Sequence, residues 1–394
     1  MIEGATGRTR REAAIVAGLA VAVVAFVAVF AVRHGFFDLK VYYGAVNYWI
    51  HDHGMLYDYL KPNSKYGFTY PPFAAIAMVP MAVVPWVLAI LVSLGLTLGA
   101  TYALLRWLVL PIARREGWTP WFALAVAFLL MVAFEPYRET LSFGQVNLLL
   151  LFLVALDLLV GVAGGRRWAG VGIGLATAIK LTPGVFILYL LVTGRWRAAL
   201  TAMATATGAT LVAAAVFPDQ SREFWTSALW DTGRVGVLSY VSNQSLRGFL
   251  ARLPVDAVAS YLWIVCVLAV LVFWAWRVRQ NIGDVTAGLA LTGVLGCLIS
   301  PVTWVHHCVW LLPALIRCID AGLASRDNRK PLYLGAAAYL VLTSRLLWVW
   351  ENRPRPPLEL IGANLYVYFS LAFLIWMPVR APSEGSDARM SASA

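Results

Sequence analysis

Uncharged, mainly apolar runs recur along the chain from Ala13 to Val32, Trp86 to Leu105, Ala198 to Pro218, Ala257 to Trp276 and Val285 to Val305. Each approaches the roughly 20 residues a helix needs to cross the hydrocarbon core. The pattern predicts spanning helices at 13–33, 86–110, 121–134, 146–163, 198–217, 257–276, 284–300, 304–320, 332–350 and 363–379. Pro72 to Val84 reads as a short re-entrant or interfacial helix before the second span. Residues 168–194 are flanked by arginines on both sides, so the reading there is a hairpin of two short helices. Its break is Lys180-Leu181-Thr182-Pro183, because proline lacks a donor and disfavours helix in the residue before it. The expectation is an all-α polytopic membrane protein with about 12 spans.

Charge orients this layout. The net charge of +11 is spread in short clusters between apolar runs: Arg8, Arg10 and Arg11; Arg114 and Arg115; Arg166 and Arg167; Arg195 and Arg197; Arg277 and Arg279; Arg326, Arg329 and Lys330. Such spacing follows the positive-inside rule and puts those loops in the cytoplasm. It forms no single basic stripe, so no nucleic-acid partner is expected. With 61% hydrophobic and 13% charged residues and a mean hydropathy of +0.74, the solvent is mostly the lipid bilayer. The first apolar stretch lacks a small-residue cleavage site and reads as an uncleaved helix. The whole of 1–394 is then one transmembrane domain: a cytoplasmic N-terminus at 1–12, outer loops at 34–70, 218–256 and 351–361, and a disordered cytoplasmic tail at 381–394. Cys266, Cys297, Cys308 and Cys318 fall in or beside apolar helices with no metal spacing and read as packing residues.

The outer loops collect the titratable chemistry, including all five histidines. Asp38, just beyond the first helix, is placed to act as a base: partly desolvated, yet within reach of a hydroxyl. Its plainer reading is an ordinary interfacial carboxylate. Asp58 competes for the role, or simply orders its loop. Pro301 breaks helix where His306 and His307 are presented, and imidazoles there can relay a proton, orient a carboxylate or meet a phosphate. Adjacent helical positions project apart, which argues against a shared metal ion. Lys180, Arg345 and Arg138 are ionisable residues at membrane depth, where a bound phosphate would give them a partner and snorkelling is the alternative. Gly144-Gln145-Val146-Asn147 and Ser242-Asn243-Gln244-Ser245 offer neutral amides that suit sugar hydroxyls or, equally, helix caps and turns.

Taken in order, Phe37-Asp38-Leu39-Lys40-Val41-Tyr42, Tyr70-Pro71-Pro72, Gly144 to Asn147, Lys180 with Pro183, Asn243-Gln244-Ser245 and Ser300-Pro301 through His306 resemble glycosyltransferase family 87. That family belongs to the C-type membrane glycosyltransferases, and the likeness is strongest to its α-1,2-mannosyltransferases. The resemblance implies a polyprenyl-phosphate-mannose donor, a phosphatidylinositol mannoside (glycolipid) acceptor, and an inverting transfer on the outer face of the plasma membrane. It implies Asp38 as base and His306, with His307 beside it, as its partner. Lys180, Arg345 and Arg138 would contact the donor phosphate and lipid. Asp58, Tyr70, Gln145, Asn147, Asn243, Gln244 and Trp304 would contact sugar or acceptor, with no cofactor and no metal. Two other readings stay open: transfer of another polyprenyl-phosphate sugar such as arabinofuranose, and a lipid or glycolipid transporter, against which the chain shows no internal repeat.

Overall fold

A computed structural model describes residues 2–255, 257–325, 327–351 and 358–379. Arg326, most of the 351–361 loop and the 381–394 tail lie outside them. The fold is helical, and among the described residues the only strand-like pairing is one isolated bridge between Leu60 and Gly67.

Helix α1 (Ile2–Phe30) leads through two left-handed residues, Gly35 and Phe36, into α2 (Phe37–His51), which lies in the expected first outer loop. Next, α3 (Pro72–Met78) tightens into a 3-10 turn at Val79–Ala82 before the long α4 (Trp86–Arg115). Helix α5 (Pro120–Ala133) is followed, across a 72° bend, by α6 (Glu135–Phe143), where the sequence suggested only loop. Pro136 at the first turn fixes a new helix start there. The run continues as α7 (Asn147–Leu156), ending in a π turn at Asp157–Val162, then α8 (Val171–Ile179) and α9 (Val185–Val192). After α10 (Trp196–Val216) come the short α11 (Pro218–Glu223) and α12 (Leu246–Leu250), then α13 (Ala259–Arg279) and α14 (Val285–Ile299). A 3-10 segment at Val305–Leu311 runs into α15 (Leu312–Ala324), and α16 (Lys330–Ser344), α17 (Leu358–Gly362) and α18 (Leu365–Trp376) complete the set.

Among the described residues five helices are long and apolar enough to cross a membrane, or six if the bent α5–α6 pair counts as one span. Five further apolar helices are only 10–17 residues long. One expected span is interrupted: 332–350 stops as α-helix at Ser344, because Arg345 adopts a left-handed φ of 59°. Residues Leu346–Trp350 then form a separate 3-10 turn.

Two apolar cores result. The larger is built around α14, which is buried along nearly its whole length and is accordingly apolar on all sides. The smaller gathers Leu39, Val46, Trp49, Leu56, Tyr57, Phe68 and Met78 from α2, the 52–70 loop and α3. Val146 and Ile179 touch both.

The basic clusters share one end of the bundle. Arg8 donates to the Gly117 carbonyl, Arg115 pairs with Asp320, Arg317 with Asp284, and Arg195 donates to the Ile282 carbonyl. From this end the 168–194 hairpin is anchored by a buried carboxylate. Asp157 accepts the Gly170 and Ile173 backbone N–H groups at 2.7 and 2.8 Å, satisfying orphan donors at the start of α8. The hairpin then carries Lys180, in extended conformation, to the opposite end.

Candidate active site

Asp38 sits in the first turn of α2, outside the spanning helices. What brings it to the bundle is a close approach of backbones. Gly144, with φ +71°, lies against Leu39, and a Cβ there would come within 2.6 Å of the Leu39 Cβ. Only glycine fits both the left-handed conformation and the space. The residue that follows, Gln145, thereby points its Nε2 at Asp38 and donates to Oδ2 at 2.7 Å.

From Gln145 a hydrogen-bonded chain crosses between the two cores. Its Oε1 accepts from the Tyr70 hydroxyl at 2.9 Å and from Asn147 Nδ2 at 3.3 Å. The Tyr70 oxygen accepts from the Tyr42 hydroxyl at 2.9 Å and from Lys180 Nζ at 3.2 Å. Lys180 donates also to Asn147 Oδ1 at 2.8 Å and lies 4.9 Å from the Tyr70 ring centre. Burial pushes the Asp38 carboxyl up to about 6, although the Gln145 hydrogen bond and the charges of Lys180 and His34 oppose the rise. Tyr70 is held a neutral phenol by the same cause, its burial.

Beyond Lys180 lies an unresolved pairing of donors. The Trp304 backbone N–H donates to His307 Nδ1 at 3.1 Å, so a neutral ring carries its proton on Nε2. That nitrogen faces Lys180 Nζ at 3.0 Å. An imidazole N–H and an ammonium both donate, and an anionic oxygen entering between them would satisfy the two at once. A small pocket opens beside them, walled by Pro183, Phe186, Gly296 and Trp310.

The expected residues divide. Asp38, Tyr70, Gln145, Asn147, Lys180 and His307 are brought into one connected group. His306 stands beside it: its ring meets His307 edge-on at 4.6 Å and Phe143 at 5.1 Å, and its buried Nε2 has no partner. No hydrogen bond joins either histidine to Asp38. Trp304 lies next to Tyr240 with 6.1 Å between ring centres. Asp58 is exposed in a turn, its N–H donating to the Met55 carbonyl. Asn243 and Gln244 are buried and spent on structure. Asn243 accepts from Ser245 and the Thr303 N–H and donates to the Leu238 and Pro301 carbonyls. Gln244 donates to the Val241 and Ala363 carbonyls and accepts from the Tyr366 N–H. Together they fix the turn that presents His306 and His307.

Arg345 and Arg138 are not brought to Lys180. Arg345 pairs with the buried Glu135 at 3.1 Å and Glu139 at 3.3 Å, and Arg138 donates to the Ala133 and Thr343 carbonyls. A buried carboxylate needs a cation, and these acids, one helical turn apart on α6, claim Arg345 first. Tyr366 and Trp348 complete the shell of Glu135, and His34 meets Glu139 at 2.7 Å. The i, i+4 spacing of Glu135 and Glu139 was a readable signal for this cluster. Tyr42 carried no comparable one. Among the described residues no three His, Cys, Asp or Glu side chains gather as a metal site requires.

The profile described as Glycosyltransferase family 87 matches residues 68–301. A relative from Mycolicibacterium smegmatis, named polyprenol-phosphate-mannose-dependent alpha-(1-2)-phosphatidylinositol pentamannoside mannosyltransferase, is 32% identical over 89% of this chain and 87% of its own. Its counterpart of the same name from Mycobacterium tuberculosis is 33% identical over 87% of this chain and 81% of its own. A second M. smegmatis protein, named as the phosphatidylinositol mannoside mannosyltransferase, is 33% identical over 70% of this chain and 66% of its own. No solved structure matches. The profile spans Tyr70, Gln145, Asn147, Lys180 and the Asn243-Gln244 brace, the relatives extend the likeness over most of the remaining chain, and the protein is therefore a member of glycosyltransferase family 87.

Proposed function

We propose that the chain transfers mannose from polyprenyl-phosphate-mannose to a phosphatidylinositol mannoside in α-1,2 linkage, with inversion, on the outer face of the plasma membrane. The observation that carries this reading is the facing pair of donors, Lys180 Nζ and His307 Nε2, joined by Asn147, Tyr70 and Gln145 to a carboxylate of raised proton affinity. The donor's phosphate lies between Lys180 and His307. The acceptor hydroxyl lies at Asp38, which takes its proton as the oxygen attacks the anomeric carbon. The bond from that carbon to the phosphate oxygen breaks, and the polyprenyl phosphate leaves with the electron pair, stabilised by the two donors. A single displacement turns a β-linked donor into an α product. In this assignment His307 serves the phosphate, and the phosphate role expected of Arg345 passes to it. The names of the relatives support mannose and the phosphatidylinositol mannoside.

The deciding assay offers purified protein radiolabelled polyprenyl-phosphate-mannose and phosphatidylinositol mannosides of increasing length. Label should enter a phosphatidylinositol mannoside acceptor, in a bond cut by an α-1,2-mannosidase. No labelled product with any acceptor, while a polyprenyl-phosphate-arabinofuranose donor gives one, moves the donor assignment.

The orientation is supported by the gathering of basic clusters at the end away from Asp38. The five or six long apolar helices and the five shorter ones make ten or eleven candidate crossings, which approaches the total of about 12 that we propose. A cysteine at Ser64 is expected to react with an impermeant thiol reagent in intact cells, and one at Ser325 to stay protected. Reaction of both at equal rates in sealed cells discards the orientation.

A further inference from the structure

The hydrogen bonds between Lys180 and Asp38 all run in one direction. Lys180 donates to Tyr70, Tyr70 donates to Gln145 Oε1, and Gln145 donates to Asp38 Oδ2, at 3.2, 2.9 and 2.7 Å. The hydroxyl has no spare capacity: two lone pairs receive Tyr42 and Lys180, and its single proton goes to Gln145. Each donation polarises the next, so aligned chains strengthen their terminal bond. Tyr70 is almost wholly buried, and the Tyr57 hydroxyl fixes its backbone by donating to the Tyr70 carbonyl at 2.8 Å. No free water is needed to complete the path.

We propose that Tyr70 is a positioning residue that transmits the charge of the phosphate site to the base, so that the proton affinity of Asp38 is set in part by Lys180 through Tyr70 and Gln145. The inference rests on Asp38 being the base, and it gives Tyr70 a role other than sugar contact. It also gives the order of events a direction. While Lys180 donates to Tyr70, the chain holds the Asp38 carboxylate in its weaker-base state. A phosphate that draws Lys180 toward itself relaxes the chain and leaves a stronger base for the acceptor hydroxyl. The other ionisable groups near Asp38 are His34 before α2, Tyr42 on α2, and the His306–His307 pair beyond Lys180.

The test is the pH dependence of turnover in the full-length protein at saturating acceptor and limiting donor, which reports the donor-free enzyme. Tyr70→Phe keeps the ring that packs on Tyr42 and Phe68 and deletes only the hydroxyl. The acid limb should move up by about half a pH unit, as expected when a cooperative contribution to a charged hydrogen bond is lost. Replacing Tyr70 by 3-fluorotyrosine, a more acidic phenol and a stronger donor, should move the limb the opposite way. Gln145→Leu should raise it further than Tyr70→Phe, and the double variant should sit with Gln145→Leu alone, because Tyr70 acts through Gln145. A limb that stays in place in both Tyr70 variants, with only rate or donor KM changed, overturns the proposal and leaves Tyr70 a packing or substrate-contact residue. Failure of the underlying reading looks different: Asp38→Asn would then retain turnover whatever Tyr70 does.

Discussion

Asparagine at position 38 is expected to lower mannosyl transfer roughly 10²- to 10⁴-fold, the scale on which a positioned general base contributes, while donor binding persists. The substitution is nearly isosteric. Its amide oxygen can still accept the Gln145 Nε2–H, so Gly144 stays packed on Leu39 and α2 keeps its place. What is lost is the ability to take a proton. In the unsubstituted enzyme turnover should fall as pH drops through about 6, where the raised Asp38 carboxyl becomes protonated and can no longer act as a base. Asp58→Asn is the matched control. Its carboxylate is exposed in a turn, and its loss should be mild. Near-normal turnover in Asp38→Asn together with an inactive Asp58→Asn would move the base to the 52–70 loop.

The second large effect is expected at Lys180. Truncating one partner of a buried, hydrogen-bonded charge pair costs about 2–5 kcal/mol, so Lys180→Met should reduce kcat/KM for the donor roughly 10²-fold or more and leave acceptor KM nearly unchanged. Methionine keeps the length of the stem and its packing beside the Tyr70 ring. His307→Ala should act on the same substrate but more weakly, because an imidazole N–H brings no full charge. Loss of acceptor affinity with donor use intact would assign the facing donors to the wrong substrate.

How much of this was legible differs from element to element. The five longest apolar helices were readable because lipid demands an unbroken apolar run, and the Lys180 hairpin because arginines flank it and Pro183 breaks it. The left-handed Arg345 was not readable. Nothing local requires it, and it follows from the claim of Glu135 and Glu139 on a guanidinium supplied more than 200 residues later. The same limit applied to the amides. Gln145 and Asn243 stand in similar sequence surroundings, each within two residues of another side-chain amide and with a helix start nearby. One became the bridge to Asp38 and the other a backbone brace, a difference decided by which loops pack against them. For the histidines the resemblance put His306 first, with His307 beside it. The Trp304 backbone N–H distinguishes them by fixing which nitrogen of His307 carries the proton.

Asp38 adjoins Leu39 of the small core, whereas Asn147 and His307 adjoin Leu148 and Cys308 of the large one, and Lys180 follows Ile179, which packs on both. The reacting atoms therefore meet at a seam, where Val146 and Ile179 are shared and Gln145 ties the two sides. The spacing between Asp38 and Lys180 is therefore set by how the two cores pack against each other, and not by either core alone.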